Sequence, residues 1–270
     1  EHSFPTRRSS DLLVIEAVPE ILEVKQKVFA EIEGACSEKA VLASNTSALS
    51  IGAIGALTKR PENVVGMHFF NPASMMTLIE IIKSDKTSDS TVKTVISVAE
   101  KIGKIPVECS DSAGFIVNRL LCAAMYEAIR CEGEGLADRR DIDSFLVKPE
   151  AGLPIGLFRM ADQLGVDLLY KVMKILQGAF GDRFAVPAPI QSLIDAGTLG
   201  VKTGKGFYDH SDPANMKATG NVDNKELIIA RVLTAVTVEA RRLVAEGVAT
   251  PDAVDIAMRN GALFKKPPFA

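Results

Sequence analysis

The side chains best suited to chemistry are a histidine, a carboxylate and a run of small polar groups. His68 stands in the string GMHFFNPA beside Met67, Phe69 and Phe70, and Glu80 stands in LIEII among Leu78, Ile79, Ile81 and Ile82. A carboxylate inside an apolar strand is costly unless it has a partner. An imidazole acting as a general base needs such a carboxylate to fix its tautomer and balance the imidazolium. The two together predict a buried base paired with an acid; the competing reading is a histidine satisfied within the core. Ser44-Asn45-Thr46-Ser47 and Asn71 add hydroxyl and amide groups nearby in sequence. Asn45-Thr46-Ser47 matches the glycosylation pattern, but no apolar secretory segment precedes it. Of the other two histidines, His2 lies at the extreme N-terminus and His210 in a polar loop.

These groups need elements to hold them. LLVIEAV, residues 12–18, is short and β-branched like a buried parallel strand, and Pro19 is compatible with the start of a helix. Residues 20–33 place Ile21, Val24, Val28, Phe29 and Ile32 at helical spacing. Strands over 40–43, 64–70, 78–82 and 105–109 then alternate with helices over 51–57 and 91–102. That alternation predicts a mostly parallel sheet covered by helices. Ligands collect at the carboxyl ends of such strands, where the Ser44–Ser47 run, His68 with Asn71, and Glu80 fall.

Beyond Asp111 the pattern becomes almost wholly helical, with helices over 115–129, 140–147 and 166–176. This second region contains an internal repeat. Residues 119–143 laid on 231–255, an offset of 112, align Arg119 with Arg231, Leu121 with Leu233, Glu127 with Glu239 and Ala128 with Ala240. Arg130, Gly135 and Asp143 likewise fall on Arg242, Gly247 and Asp255. The fold class is therefore α/β followed by all-α: an incomplete Rossmann-like parallel sheet domain, then a helical C-terminal domain with a degenerate second copy. The expected divisions are 11–110, 111–212 and 213–270. Residues 1–10, EHSFPTRRSS, have no periodicity and are read as a leader foreign to the fold.

Composition excludes several classes. The 270 residues carry 31 Lys+Arg against 34 Asp+Glu, a net charge of −3, which argues against a nucleic-acid binder driven by counterion release and against a polybasic membrane anchor. No apolar run reaches the roughly 18 to 20 residues of a spanning helix. Cys36, Cys109, Cys122 and Cys131 show neither metal-site spacing nor disulfide density, so they read as free thiols in a reducing cytoplasm, with no metal expected.

Six strings, LVIEAVPE, ASNTSALSI, GMHFFNPA, LIEII, DSAGFIVNRLL and KTGKGFY, occur in this order from about Asp11 to Tyr208. Together they resemble the 3-hydroxyacyl-CoA dehydrogenase family, including the 3-hydroxybutyryl-CoA dehydrogenases. The resemblance implies NAD-dependent oxidation of a (3S)-3-hydroxyacyl-CoA to the 3-oxoacyl-CoA, in fatty-acid β-oxidation or butanoate-type metabolism. It makes His68 the base and Glu80 its orienting partner, with Ser47 and Asn118 on the substrate. Glu20, Lys25, Asn45, Asn71 and Lys202 match cofactor-side positions; by themselves these residues read as a helix first-turn charge, a solvated face and a turn residue before Pro72. KTGKGFY is not a phosphate loop, because Gly200 and Gly204 are too close and Gly206 occupies the Ser/Thr position. The resemblance further implies a homodimer, or a pseudo-dimeric monomer in which the helical repeat replaces the partner. A fusion with an enoyl-CoA hydratase is compatible with the extra helical copy.

The family's opening strand, G-x-G-x-x-G turn and ribose-binding acid have no counterpart ahead of Leu12. The expectation is that this chain binds NAD weakly or not at all and is less stable than a complete member. Two competing readings follow: a helical dimerisation or docking module without turnover, and a related β-hydroxyacid dehydrogenase acting on a free acid.

Overall fold

In the computed structural model, residues 13–270 are described; the leader at 1–10 lies outside them. The chain divides into two compact units, one running through Phe115 with Gly247–Ala249, the other comprising Ile116–Glu246 and Thr250–Ala270.

The first unit is built on a five-stranded sheet of order β1-β2-β3-β4-β5: β1 (Leu13–Glu16), β2 (Val41–Ser44), β3 (Val64–Phe69), β4 (Leu78–Lys83) and β5 (Ile105–Ser110). Helices α1 (Leu22–Ala35), α2 (Ile51–Ile54) and α3 (Asp89–Lys101) connect them. The sheet is mostly parallel, as the alternation predicts, but β3 and β4 run antiparallel and lack an intervening helix. The eight residues FNPASMMT between them offer no helical apolar face, so the chain simply turns back. Pairing β3 with β4 sets His68 directly opposite Glu80.

Alternation along the strands separates two faces. Val65, Met67, Ile79 and Ile81 pack on Val92, Val95 and Ala99 of α3. His68, Glu80 and Gly66 lie on the other face, where a Cβ on Gly66 would stand 2.7 Å from Ile82 Cβ and 2.9 Å from Ile51 Cδ1. The Gly66→Ala protein is therefore expected to lose roughly 1–3 kcal/mol by overpacking, read by urea unfolding; unchanged stability would contradict this close approach. Ser50 and Ser88 cap α2 and α3 through hydrogen bonds from the amides of Ala53 and Thr91. The last turn of α1 has no basic residue of its own, and Arg60 donates from the following loop to the carbonyls of Glu33 and Ser37.

The second unit is helical: α4 (Val117–Gly133), α5 (Arg139–Leu146), α6 (Leu157–Leu164), α7 (Val166–Phe180), α8 (Ala188–Asp195), α9 (Lys225–Ala245) and α10 (Pro251–Gly261). Helices α4 and α9 are the repeated pair and pack antiparallel on each other. Their ion pairs are reciprocal: Arg119 meets Glu239 and Glu246, while Arg231 meets Glu127 and Glu134. Under the offset of 112 these are the same contacts read in both directions, the signature of a two-fold relation within one chain. The correspondence continues with a one-residue shift. Asp143 accepts from the amide of Phe158 and Asp255 from that of Phe269; the Leu153 amide donates to Leu146 and the Phe264 amide to Met258. Sequence periodicity misses α6, α8 and α10, each of 11 residues or fewer and, for α8, opened by a proline-rich stretch.

Candidate active site

Cross-strand pairing delivers the central contact. His68 Nδ1 lies 2.7 Å from Glu80 Oε2, and Glu80 is fully buried. With the carboxylate ionised, Nδ1–H donates to it, which leaves the Nε2 lone pair as the acceptor of the imidazole. The ring is walled by Phe70, at 4.5 Å between centroids, and by Phe115, at 5.8 Å. Phe115 holds φ at +49° directly after Gly114 at +70°, a left-handed pair that an aromatic residue adopts at a cost and that places its buried ring beside the histidine. The arrangement is that of a poised base with a fixed tautomer and little access to bulk water.

A second polar system lies at the ends of β1 and β2. Lys25 is buried in α1, with its Nζ 2.8 Å from Glu16 Oε1, 3.1 Å from the Val18 carbonyl and 3.4 Å from Glu20 Oε2. Glu20 in turn accepts from the hydroxyl of Thr46 and the amides of Ser47 and Ala48. The Asn45 side-chain oxygen accepts from the amide of Phe69, the residue after His68. Thus Glu20, Lys25, Asn45 and Ser47 stand in one connected region of the first unit, joined to the end of the histidine strand. Asn71 is exposed in the turn after β3. Asn118 is half-buried on the first turn of α4 in the second unit. Lys202, also in the second unit, is half-exposed and paired with Asp167 at the start of α7.

Within the second unit, three buried carboxylates organise the segment containing KTGKGFY. Asp162 accepts from the amides of Phe207 and Tyr208 and pairs with His210 Nε2 at 2.9 Å, so the histidine of the polar loop has a buried partner. Asp141 accepts from Thr219 and Gly220, and Asp143 accepts from the amides that open α6 and from the Tyr208 hydroxyl. Burial pushes the Asp143 carboxyl up to about 6 despite these donors. An acid raised on folding favours the native state when protonated, so its contribution is present at low pH and lost as pH rises from about 4 to 6. Across that interval the stability of the wild type relative to Asp143→Asn should fall by up to about 3 kcal/mol, measured by chemical unfolding. A constant difference would contradict the shift.

Among the sites that sequence reasoning passed over, Glu16 is the clearest. It carries the same signal as Glu80, a carboxylate in an apolar strand. The Asp143 and Asp162 contacts span 15 to 65 residues and have no local sequence pattern.

A mostly parallel sheet with polar groups at its strand ends, a histidine–carboxylate pair and a following helical unit together form an architecture suited to a dinucleotide-dependent dehydrogenase. Residues 6–112 match the NAD-binding domain of 3-hydroxyacyl-CoA dehydrogenase, and residues 114–210 and 227–270 match its C-terminal domain. The chain belongs to the 3-hydroxyacyl-CoA dehydrogenase family, and its cofactor is NAD. It is similar to the crystal structure of 3-hydroxybutyryl-CoA dehydrogenase from Escherichia coli K12, at 28% identity over 96% of this chain and 74% of that one, with a TM-score of 0.87. The (S)-3-hydroxybutyryl-CoA dehydrogenase from Ralstonia eutropha is 39% identical over 73% of this chain and 70% of its own, with a TM-score of 0.70. For M. tuberculosis FadB2 the values are 37%, 74%, 71% and 0.71. The two stretches matched by the C-terminal domain correspond to the helical repeat. Among the described residues no helix is long and apolar enough to cross a membrane.

Proposed function

We propose that the protein oxidises the C3 hydroxyl of a (3S)-3-hydroxyacyl-CoA to the ketone. The observation that carries this reading is the 2.7 Å contact between His68 and Glu80 on adjacent strands. The polar groups of Glu20, Lys25 and Asn45 at the ends of the first two strands support a cofactor side there. NAD, when bound, supplies the acceptor for the hydride leaving C3. His68 Nε2 takes the hydroxyl proton, so the substrate loses one proton and one hydride and the imidazole becomes imidazolium. Glu80 balances that charge across Nδ1 and keeps the ring from turning. Ser47 and Asn118 are assigned to the substrate oxygens, and Glu20, Lys25, Asn45, Asn71 and Lys202 to the cofactor side. The relatives named for 3-hydroxybutyryl-CoA favour a short acyl chain, and the same chemistry serves fatty-acid β-oxidation.

The test is NADH formation from (S)-3-hydroxybutyryl-CoA, its R enantiomer and free 3-hydroxybutyrate, with NAD raised into the millimolar range. Turnover confined to the S thioester is expected. Oxidation of the free acid alone would establish the β-hydroxyacid reading instead. An ordered oligomer without turnover would favour the helical docking module.

The reciprocal ion pairs of α4 and α9 support a pseudo-dimeric monomer over a homodimer, and light scattering on the full chain distinguishes them. Burial pushes the Cys122 thiol up to about 12 and the Cys109 thiol higher than usual. Buried thiols of this kind, Cys131 among them, suit the cytoplasmic enzyme proposed here. The helical copy beyond residue 227 is also consistent with a dehydrogenase that is part of a hydratase fusion.

A further inference from the structure

We infer that Glu16 is a positioning residue for the reaction proposed above, its side chain aligning Ser47 through a buried network without touching substrate. Its side chain ends β1 at 4% exposure and serves three donors. Oε1 accepts from Lys25 Nζ and from the Val18 amide, and Oε2 accepts from Ser44 Oγ at 2.7 Å, tying β1 to the end of β2. Its main-chain carbonyl accepts from the Asn45 amide at 2.8 Å. Two routes therefore leave this residue. One runs through Lys25 to Glu20, and from there to the Thr46 hydroxyl and the amides of Ser47 and Ala48. The other runs through Asn45, whose side chain takes the Phe69 amide next to His68.

Charge explains why both carboxylates are needed. Lys25 has three N–H donors, and Glu16, Val18 and Glu20 meet all three, so a buried ammonium is satisfied only when both acids are ionised and in place. Neutralising Glu16 leaves Lys25 leaning on Glu20 alone and draws Glu20 away from the Thr46–Ala48 loop. A shift of less than an ångström there is enough to misalign a reacting hydroxyl.

The experiment compares wild type, Glu16→Gln, Glu16→Asp, Thr46→Val and Thr46→Ser in the full chain. Glu16→Gln keeps the shape and the Ser44 contact but removes the charge. Amide hydrogen exchange at Ser47 and Ala48 should accelerate roughly tenfold or more in Glu16→Gln, with kcat falling by a similar factor while KM for the thioester changes less; Phe69, held through the main-chain carbonyl of residue 16 and Asn45, should keep its wild-type exchange. Thr46→Val leaves β1 intact, so it serves even if Glu16→Gln fails to fold. It should show the same exchange change at Ser47 and Ala48, and Thr46→Ser should restore wild-type values. Unchanged exchange and kcat in both Glu16→Gln and Thr46→Val would overturn the inference. A wild-type protein without turnover would instead remove the proposed reaction, and the exchange measurements would still decide whether Glu16 governs the loop.

Discussion

Replacing His68 by Gln is expected to lower kcat by about 10³-fold, because the amide can still donate to Glu80 but supplies no proton acceptor in place of the imidazole. Glu80→Gln tests the partner. Glu80 is fully buried and accepts from His68 Nδ1, so a neutral amide in its place leaves the imidazolium formed during turnover uncompensated in a low-dielectric site. A loss of roughly 10²-fold in kcat is expected, and wild-type kcat in Glu80→Gln would separate the two residues functionally, whatever their distance.

The second large effect is on stability. Arg119 is fully buried between Glu239, at 2.7 Å, and the ring of Phe180, whose centroid lies 4.3 Å from the guanidinium carbon. Arg119→Ala removes the shortest and most buried contact of Glu239, leaving that carboxylate to Arg242 at 3.3 Å and Arg183 at 3.5 Å, and should cost about 3 kcal/mol in urea unfolding followed by circular dichroism. Arg231 makes the matching contact to Glu127 from a position about a quarter exposed, and Arg231→Ala should cost only about 1 kcal/mol. Two contacts that are equivalent by sequence thus differ in energy because one lies inside the bundle and the other near water. The double substitution Arg119→Met with Glu239→Leu should recover most of the loss. Equal costs for the two single arginine variants would mean that burial does not separate them.

Much of this was legible in the sequence, for identifiable reasons. Strands such as LIEII and VVGMHF are short, apolar and β-branched, so their existence and bounds within a residue or two follow from local pattern alone. The His68–Glu80 pairing was readable because a lone acid in an apolar strand demands a partner. Strand direction was not: nothing in FNPASMMT distinguishes a turn that reverses the chain from a loop that crosses over. The repeat was readable because its arginines, glutamates and glycine keep their spacing, while α10 was hidden because its apolar stripe, Val254, Ala257 and Met258, is only three residues long. The network around Lys25 was the hardest to see. Lysine on a helix normally signals a solvated face, and only the tertiary approach of Glu16 and Glu20 shows that this one is enclosed.

The antiparallel run of β3 and β4 bears on how the protein is made as well as on what it does. His68 and Glu80 are separated by 12 residues, so bringing them together closes a short loop at low entropic cost. The Glu16–Ser44 contact spans 28 residues and requires a crossover helix to dock first. On a chain emerging from the ribosome the acid–base pair is thus a short-range contact, complete once a single hairpin has closed. The network around Glu16 closes a longer loop, through residues that leave the ribosome earlier.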